Sequence, residues 1–222
     1  MHEAIESIMR NGISGEEGSW SFPIPDISDI RRRLNVLFSM DHLSREDIFK
    51  DTYFKGICAC GDEYGARYYA QRHNRIEEKK ESILITFTVD IERVYIDGRD
   101  FLYTAFQLWN RTTTKNIKTQ KSCLRKLFGA NIERYFERCV ISNDQSLRII
   151  MADLATFDKK VVLSHWKNTK VIGGRYGTRF CSAFFVQAPI SVSEIDSCVV
   201  IDSHFSEKDV FIDLNSFLGR GR

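Results

Sequence analysis

Apolar residues recur at helical spacing from the start of the chain. Ala4, Ile5, Ile8 and Met9 share one face of residues 2–11, and Gly12 ends the run as a helix-terminating glycine. Residues 14–30 are rich in Ser, Gly and Pro and read as a loop. A short strand is expected at 35–40, and a helix capped by Ser44 with Asp47 at its third position follows. Residues 55–60 read as another short strand. Asp62 caps the next helix, 63 to about 75, in which Tyr64, Tyr68 and Tyr69 recur at helical spacing. Residues 82–90 form the clearest strand, β-branched and alternating over the second half. A strand at 93–96 and an Asp97-Gly98 turn come next.

From Phe101 to Phe157 the period becomes helical, in runs at about 101–110, 114–127, 131–139 and 146–157. Breaks fall at 110–114, at Gly129 and at 142–144. Strands are expected again at 161–166, 170–172, 180–187, 198–201 and 210–212, with 190–195 as a connection. Strands and helices do not alternate regularly, so the class is α+β rather than a doubly wound parallel sheet. A single domain, 1–222, with a helical insertion at about 101–157 fits this length.

Composition narrows the picture only slightly. The 222 residues are 43% hydrophobic and carry a net charge of +2, so bulk charge selects no partner. No stretch of 18 apolar residues occurs and no signal peptide opens the chain, which points to a soluble, cytoplasmic protein with no membrane partner. The six cysteines are scattered. Cys58-x-Cys60 is too tight for the usual zinc knuckle, and buried reduced thiols are the simpler reading. His42, His73, His165 and His204 lack a partner pattern and read as surface or core histidines.

Charge distribution says more. No acid occurs between Asp100 and Glu133, a window holding Arg111, Lys115, Lys118, Lys121, Arg125 and Lys126. Lys115, Lys118 and Arg125 share a helix face, with Lys121 beside them. A second acid-free window, 159–193, holds Lys159, Lys160, Lys167, Lys170, Arg175 and Arg179. Phosphates, of a dinucleotide or of a nucleic-acid backbone, are the natural partner. Within this window, residues 173–180 form a glycine-rich loop with Arg175, Tyr176, Arg179 and Phe180, running into an apolar strand that stops at Pro189. Gly173-Gly174-x-x-Gly177 precedes a strand, so it is not a dinucleotide fingerprint, which must open a helix.

Residues 63–70 (EYGARYYA), the strand at 82–90 and residues 94–101 (VYIDGRDF) resemble the middle of ADP-ribosyltransferases of the bacterial toxin type. Residues 180–195 (FCSAFFVQAPISVSEI) resemble their last motif, a strand carrying the catalytic glutamate before a proline-bounded turn. The resemblance covers roughly 55–100 and 170–201. It implies a split, mixed or antiparallel β core, NAD as ADP-ribose donor and a role in toxin–antitoxin pairs of the kind used in phage defence. A neutralising antitoxin follows, with a chaperone as a further partner. Tyr64, Arg67, Tyr68 and Tyr69 are its NAD-side residues. Arg175, Tyr176, Arg179 and Phe180 are its acceptor-side residues, and the two aromatics favour RNA or DNA over protein. The position of the glutamate is held here by Ala183. Breaking the nicotinamide–ribose bond builds an oxocarbenium-like cation that a carboxylate stabilises and alanine does not. Two explanations follow: a fold that only binds, or an inactivated toxin, favoured because the neighbouring residues are intact. A transferase acting on protein is the enzyme alternative. The His or Arg that holds the NAD ribose in such enzymes is left open between His2 and the segment around His42.

Overall fold

The computed structural model describes residues 2–15, 20–23, 53–77, 81–107, 114–142, 144–202 and 206–220. The strand expected at 35–40, the helix after Ser44 and His42 lie outside the described residues.

Helix α1 (His2–Asn11) ends as its sequence predicts. Gly12 takes a φ of +70°, and its N–H donates to the Ile8 carbonyl at 2.8 Å. A side chain there would also meet the Ile190 carbonyl oxygen at 2.3 Å, so glycine is required twice over. Strand β1 (Trp20–Pro23) falls inside the stretch expected to be loop. It pairs on one side only, which is where a strand accommodates proline.

The largest sheet adds β2 (Tyr53–Cys60), β4 (Val94–Ile96) and β7 (Ala183–Gln187) in the order β1-β2-β7-β4, each pair antiparallel. Strands β3 (Glu81–Phe87) and β8 (Ile195–Asp202) form an antiparallel pair. Strands β5 (Val171–Gly173), β6 (Arg179–Phe180) and β9 (Val210–Asp213) form a small sheet, with β5 antiparallel to β6 and parallel to β9. Helix α2 (Glu63–Glu77) follows β2. The architecture is mixed α and β with segregated elements, in keeping with an α+β class.

The helical middle forms as its periodicity predicts: α3 (Leu102–Gln107), α4 (Thr114–Phe128), α5 (Ile132–Ile141) and α6 (Gln145–Phe157). Phe106, Leu124, Leu127, Phe136, Ile150 and Met151 are buried in one continuous core with Ile96, Phe184 and Val186 of the large sheet. Each such side chain contributes roughly 1.5–3 kcal/mol by leaving water. Arg148 locks the helix turns together, donating to the carbonyls of Cys139 (3.2 Å), Ser142 (2.9 Å) and Gln107 (3.0 Å).

A second expectation is overturned. Residues 161–166, expected as a strand for their Val-Val-Leu run, lie in helix α7 (Lys159–Trp166). Asp158 caps it, accepting from the Lys160 N–H at 2.9 Å, and Val161, Val162 and His165 are its buried residues. The local β preference of two valines is weaker than a cap plus a buried face. Helix α8 (Leu214–Phe217) follows β9 directly, capped by Asp213.

The basic stripe is largely reassigned too. On α4, Lys121 pairs with Glu133 at 3.2 Å and with Glu137, and Arg125 lies 3.4 Å from Glu133. Acids of α5 therefore answer cations that α4 itself leaves unmatched. Lys159 is structural as well, donating to the carbonyls of Ile91 (2.9 Å), Glu92 (2.9 Å) and Val94 (3.0 Å).

Candidate functional site

Ala183 opens β7 at the end of the β2–β7 ladder. It pairs with Cys60 of β2, and its carbonyl accepts from the Asp97 N–H at 2.9 Å, just past β4. Residues opposite one another across a ladder share a face, so Cys60, Ala183 and Asp97 stand in a row. Ala183 is 4% exposed. From the helical side, His165 accepts the Ala183 N–H on Nε2 at 3.2 Å, while its Nδ1 donates to the Leu127 carbonyl at 3.2 Å. These two bonds fix the tautomer of a neutral ring. Burial holds its pKa down at about 4, and stacking on Phe128 at a centroid distance of 4.4 Å completes the enclosure.

Two further carboxylates, Asp62 and Asp100, flank this row. Asp62 caps α2 through the Gly65 N–H at 2.8 Å, and its other oxygen accepts from Ser182 N–H at 2.9 Å and Ser182 Oγ at 3.2 Å. The start of α2 is thereby tied to the residue before Ala183. Asp97 accepts from Arg99 Nε at 2.7 Å and from Arg99 Nη2, and Nη2 also lies 2.9 Å from Cys58 Sγ. Burial lowers the Arg99 pKa, but the bond and charge of Asp97 outweigh it and the net shift is upward. Asp100 accepts from Tyr69 OH at 2.5 Å. Burial pushes the Asp100 pKa up and the charge of Asp97 adds to this, while the Tyr69 bond opposes it. The Cys60 thiol is held protonated, first by burial and then by the charges of Asp62, Asp97 and Asp100. Among the described residues, no group of three or more His, Cys, Asp and Glu side chains is arranged to hold a metal ion.

Helix α2 links this acidic face to a different one. Tyr69 reaches Asp100, while Tyr68 donates to the Gly177 carbonyl at 2.6 Å in the glycine-rich loop. Tyr64 is 8% exposed and packs against Val171, Cys181 and Val210, so it supports the small sheet from within. Arg67 pairs with Glu63 at 2.6 Å along the helix surface. The four residues that the resemblance assigns to NAD are therefore not one cluster. Tyr68 and Tyr69 reach neighbouring elements, Tyr64 lies in the core and Arg67 stays on its own helix.

The loop 173–179 and residues 210–216 enclose an open pocket of about 670 Å³. Tyr176 is 75% exposed at a φ of +57°, a left-handed conformation that a tyrosine rarely adopts. The Arg175 guanidinium lies 5.3 Å from the Tyr176 ring centre. Arg179 pairs with Glu207 at the rim. Phe180 departs from its expected role: it is 1% exposed in the core, with no ring face open to a base. Its place at the rim is taken by Phe211, which is 41% exposed and was not singled out by its sequence context.

The sequence marks the loop, the helix with its Asp62 cap and a core or surface place for His165, but not the grouping of Asp62, Asp97, Arg99, Asp100 and His165 around position 183. A signal for Asp97 and Asp100 was present, because the Asp-Gly-Arg-Asp turn places two acids beside a strand end. Cys58 and Cys60, two apart on a strand, share a face by the same alternation. The chain matches no family model, and neither a curated protein nor a solved structure matches it.

Proposed function

We propose that this chain is an NAD-dependent ADP-ribosyltransferase of the toxin type, acting on nucleic acid in the cytoplasm, with its chemistry disabled at position 183. The observation that carries the reading is the register around Ala183. The residue standing where the resemblance requires a glutamate begins the central strand of the sheet, between Cys60 and Asp97. Its backbone is held on both sides, by Asp62 through Ser182 and by His165. A side chain at such a position is aimed by the scaffold rather than by a mobile loop.

The transfer breaks the bond between the nicotinamide nitrogen and the ribose carbon, and nicotinamide leaves with the electron pair. An acceptor nitrogen or oxygen then bonds to that carbon and gives up its proton. A carboxylate at position 183 stabilises the cationic carbon and orients the acceptor. The alanine methyl does neither. The neighbouring acids are engaged elsewhere: Asp62 with Ser182 and Gly65, Asp97 with Arg99, and Asp100 with Tyr69. On this reading Tyr68 and Tyr69 border the donor, Tyr64 supports them from the core, and Arg175, Tyr176 and Arg179 face the acceptor. A toxin of this kind works against a neutralising antitoxin, with a chaperone as a further partner.

The test is Ala183→Glu. Nicotinamide release from NAD and labelling of RNA or DNA by the variant, and not by the parent chain, support the enzyme. Labelling confined to protein shifts the acceptor class. A folded variant that neither consumes NAD nor harms an expressing cell overturns the enzyme reading. It leaves a nucleic-acid-binding module, which the intact basic pocket favours as the second reading.

A further inference from the structure

We propose that the pocket between residues 173–179 and 210–216 holds single-stranded nucleic acid, with Phe211 as a stacking platform and Lys126 and Lys170 as its phosphate contacts. The inference rests on the reading of the partner as nucleic acid, and not on any NAD chemistry.

The backbone supplies the first reason. In the parallel pairing of β5 with β9, Val171 pairs with Val210 and Ile172 with Ile212. Phe211 is skipped by this register, where it shifts between the two pairs. Strand alternation puts its side chain on the face opposite Val210 and Ile212. Val210 and Ile212 on either side pack inward, against Tyr64 and the main core respectively. The chain therefore half-buries two apolar neighbours and leaves the largest of the three exposed, and all three line the pocket.

Charge supplies the second. Lys170 Nζ lies 4.9 Å and Lys126 Nζ 5.8 Å from the Phe211 ring centre. These lysines come from different elements, α4 and the residue before β5, and flank the ring beside the pocket lining. Across the pocket, Tyr176 repeats the arrangement with Arg175. An exposed ammonium–ring contact is weak, so each lysine can exchange its ring for a phosphate at little cost. An exposed ring flanked by mobile cations is how proteins hold single strands: every base has a face to stack, and every nucleotide brings a phosphate. An acidic protein surface would meet the cations but leave both ring faces unused.

The nearby acids fit the same occupant. Glu207, outside the lining, is paired with Arg179. Asp213 is held ionised, chiefly by the Ser216 hydroxyl and N–H, which donate to it at 2.5 Å and 3.0 Å. It lines the pocket beside Asn215 and Ser216, where sugar hydroxyls and base amino groups find an acceptor.

The experiment is fluorescence anisotropy of labelled 12-nucleotide RNA and DNA single strands with the whole chain, over a series of salt concentrations. Phe211→Ala is expected to weaken binding roughly five- to hundredfold, the loss of one stacked base. Phe211→Trp restores it, whereas Phe211→Leu, apolar but without a π face, does not. Lys126→Gln and Lys170→Gln each lower the slope of log affinity against log salt by about 1 or less. The proposal is overturned if the parent chain binds neither strand. It is equally overturned if Phe211→Ala, folded by circular dichroism, binds as tightly as the parent, or if Phe211→Leu binds as well as Phe211→Trp. Failure here alongside labelling by Ala183→Glu would remove this pocket and keep the transferase. Success here beside an inert Ala183→Glu would do the reverse.

Discussion

Ala183 and Arg175 belong to one run of sequence, yet they stand in opposite surroundings. Around Ala183 the polar groups, mostly acidic, are buried or half-buried, and each is tied to a named partner: Asp62 to Ser182, Asp97 to Arg99, Asp100 to Tyr69, His165 to two backbone groups. Around Arg175 the groups are cationic and exposed, and they rest on aromatic rings. The first region is organised before any ligand arrives, as bond-making chemistry needs. The second can rearrange around a flexible, repetitive partner. The difference separates substitutions by what they damage: stability at the first region, binding at the second.

His165→Leu is the most severe way to test that division. It strands the Ala183 N–H and the Leu127 carbonyl in the core, and a loss of about 2–4 kcal/mol is expected in urea denaturation at pH 7. The same variant reads the pH dependence. The His165 pKa is about 4 when folded, against an ordinary value near 6.5, so the unfolded chain takes up the proton first. Its contribution is complete above pH 6.5 and is lost progressively as pH falls toward 4, on the order of 3 kcal/mol in all. The variant should show a correspondingly shallower acid slope. An unchanged slope would remove His165 from the account.

Asp97→Asn comes next. It breaks the pair with Arg99, which is partly exposed, so about 1–2 kcal/mol is expected rather than the larger cost of a fully buried pair. Because the Asp97 charge raises the Asp100 pKa, that pKa should fall in the variant, as followed by carboxyl NMR titration. Tyr69→Phe acts oppositely on the same group. It removes the bond that favours the ionised carboxylate, so the Asp100 pKa rises further, at a stability cost of about 1 kcal/mol. An unchanged Asp100 titration in both variants would mean that Asp100 does not sense its neighbours.

The smallest effect is expected at the other region, and with the opposite sign. Tyr176→Gly relieves a left-handed backbone at an exposed site and should leave thermal stability unchanged or raise it by up to about 1 kcal/mol. Oligonucleotide binding should weaken all the same. A loss of stability at Tyr176 as large as that at Asp97 would dissolve the contrast.

Much of the helical architecture was legible because its apolar period is regular and its breaks fall at Gly129 and at the turn after Ile141. The loop 173–179 was legible because glycine, cations and aromatics are local signals. Three kinds of feature were not. Residues 161–166 carried β-branched residues in a helix whose deciding cap, Asp158, precedes the run. The basic face of α4 looked unbalanced because its balancing acids belong to α5. The surroundings of Ala183 come from α2, the turn after β4 and α7, which only the sheet register brings together. Phe180 and Phe211 illustrate the same limit. Alternation sets Phe211 opposite Val210 and Ile212, but not which face of so short a strand the rest of the fold covers.

The position of β7 has a consequence for how the protein is made. This strand lies between β2 and β4 but is synthesised after both and after the helices that follow them. Until it emerges from the ribosome, β2 and β4 have no strand to join them, and the pairings it completes span a large part of the chain. The acids near Ala183 are therefore dispersed in every shorter nascent chain. No fragment that ends before β7 can complete this sheet, so the surroundings of Ala183 assemble only once that strand has been made.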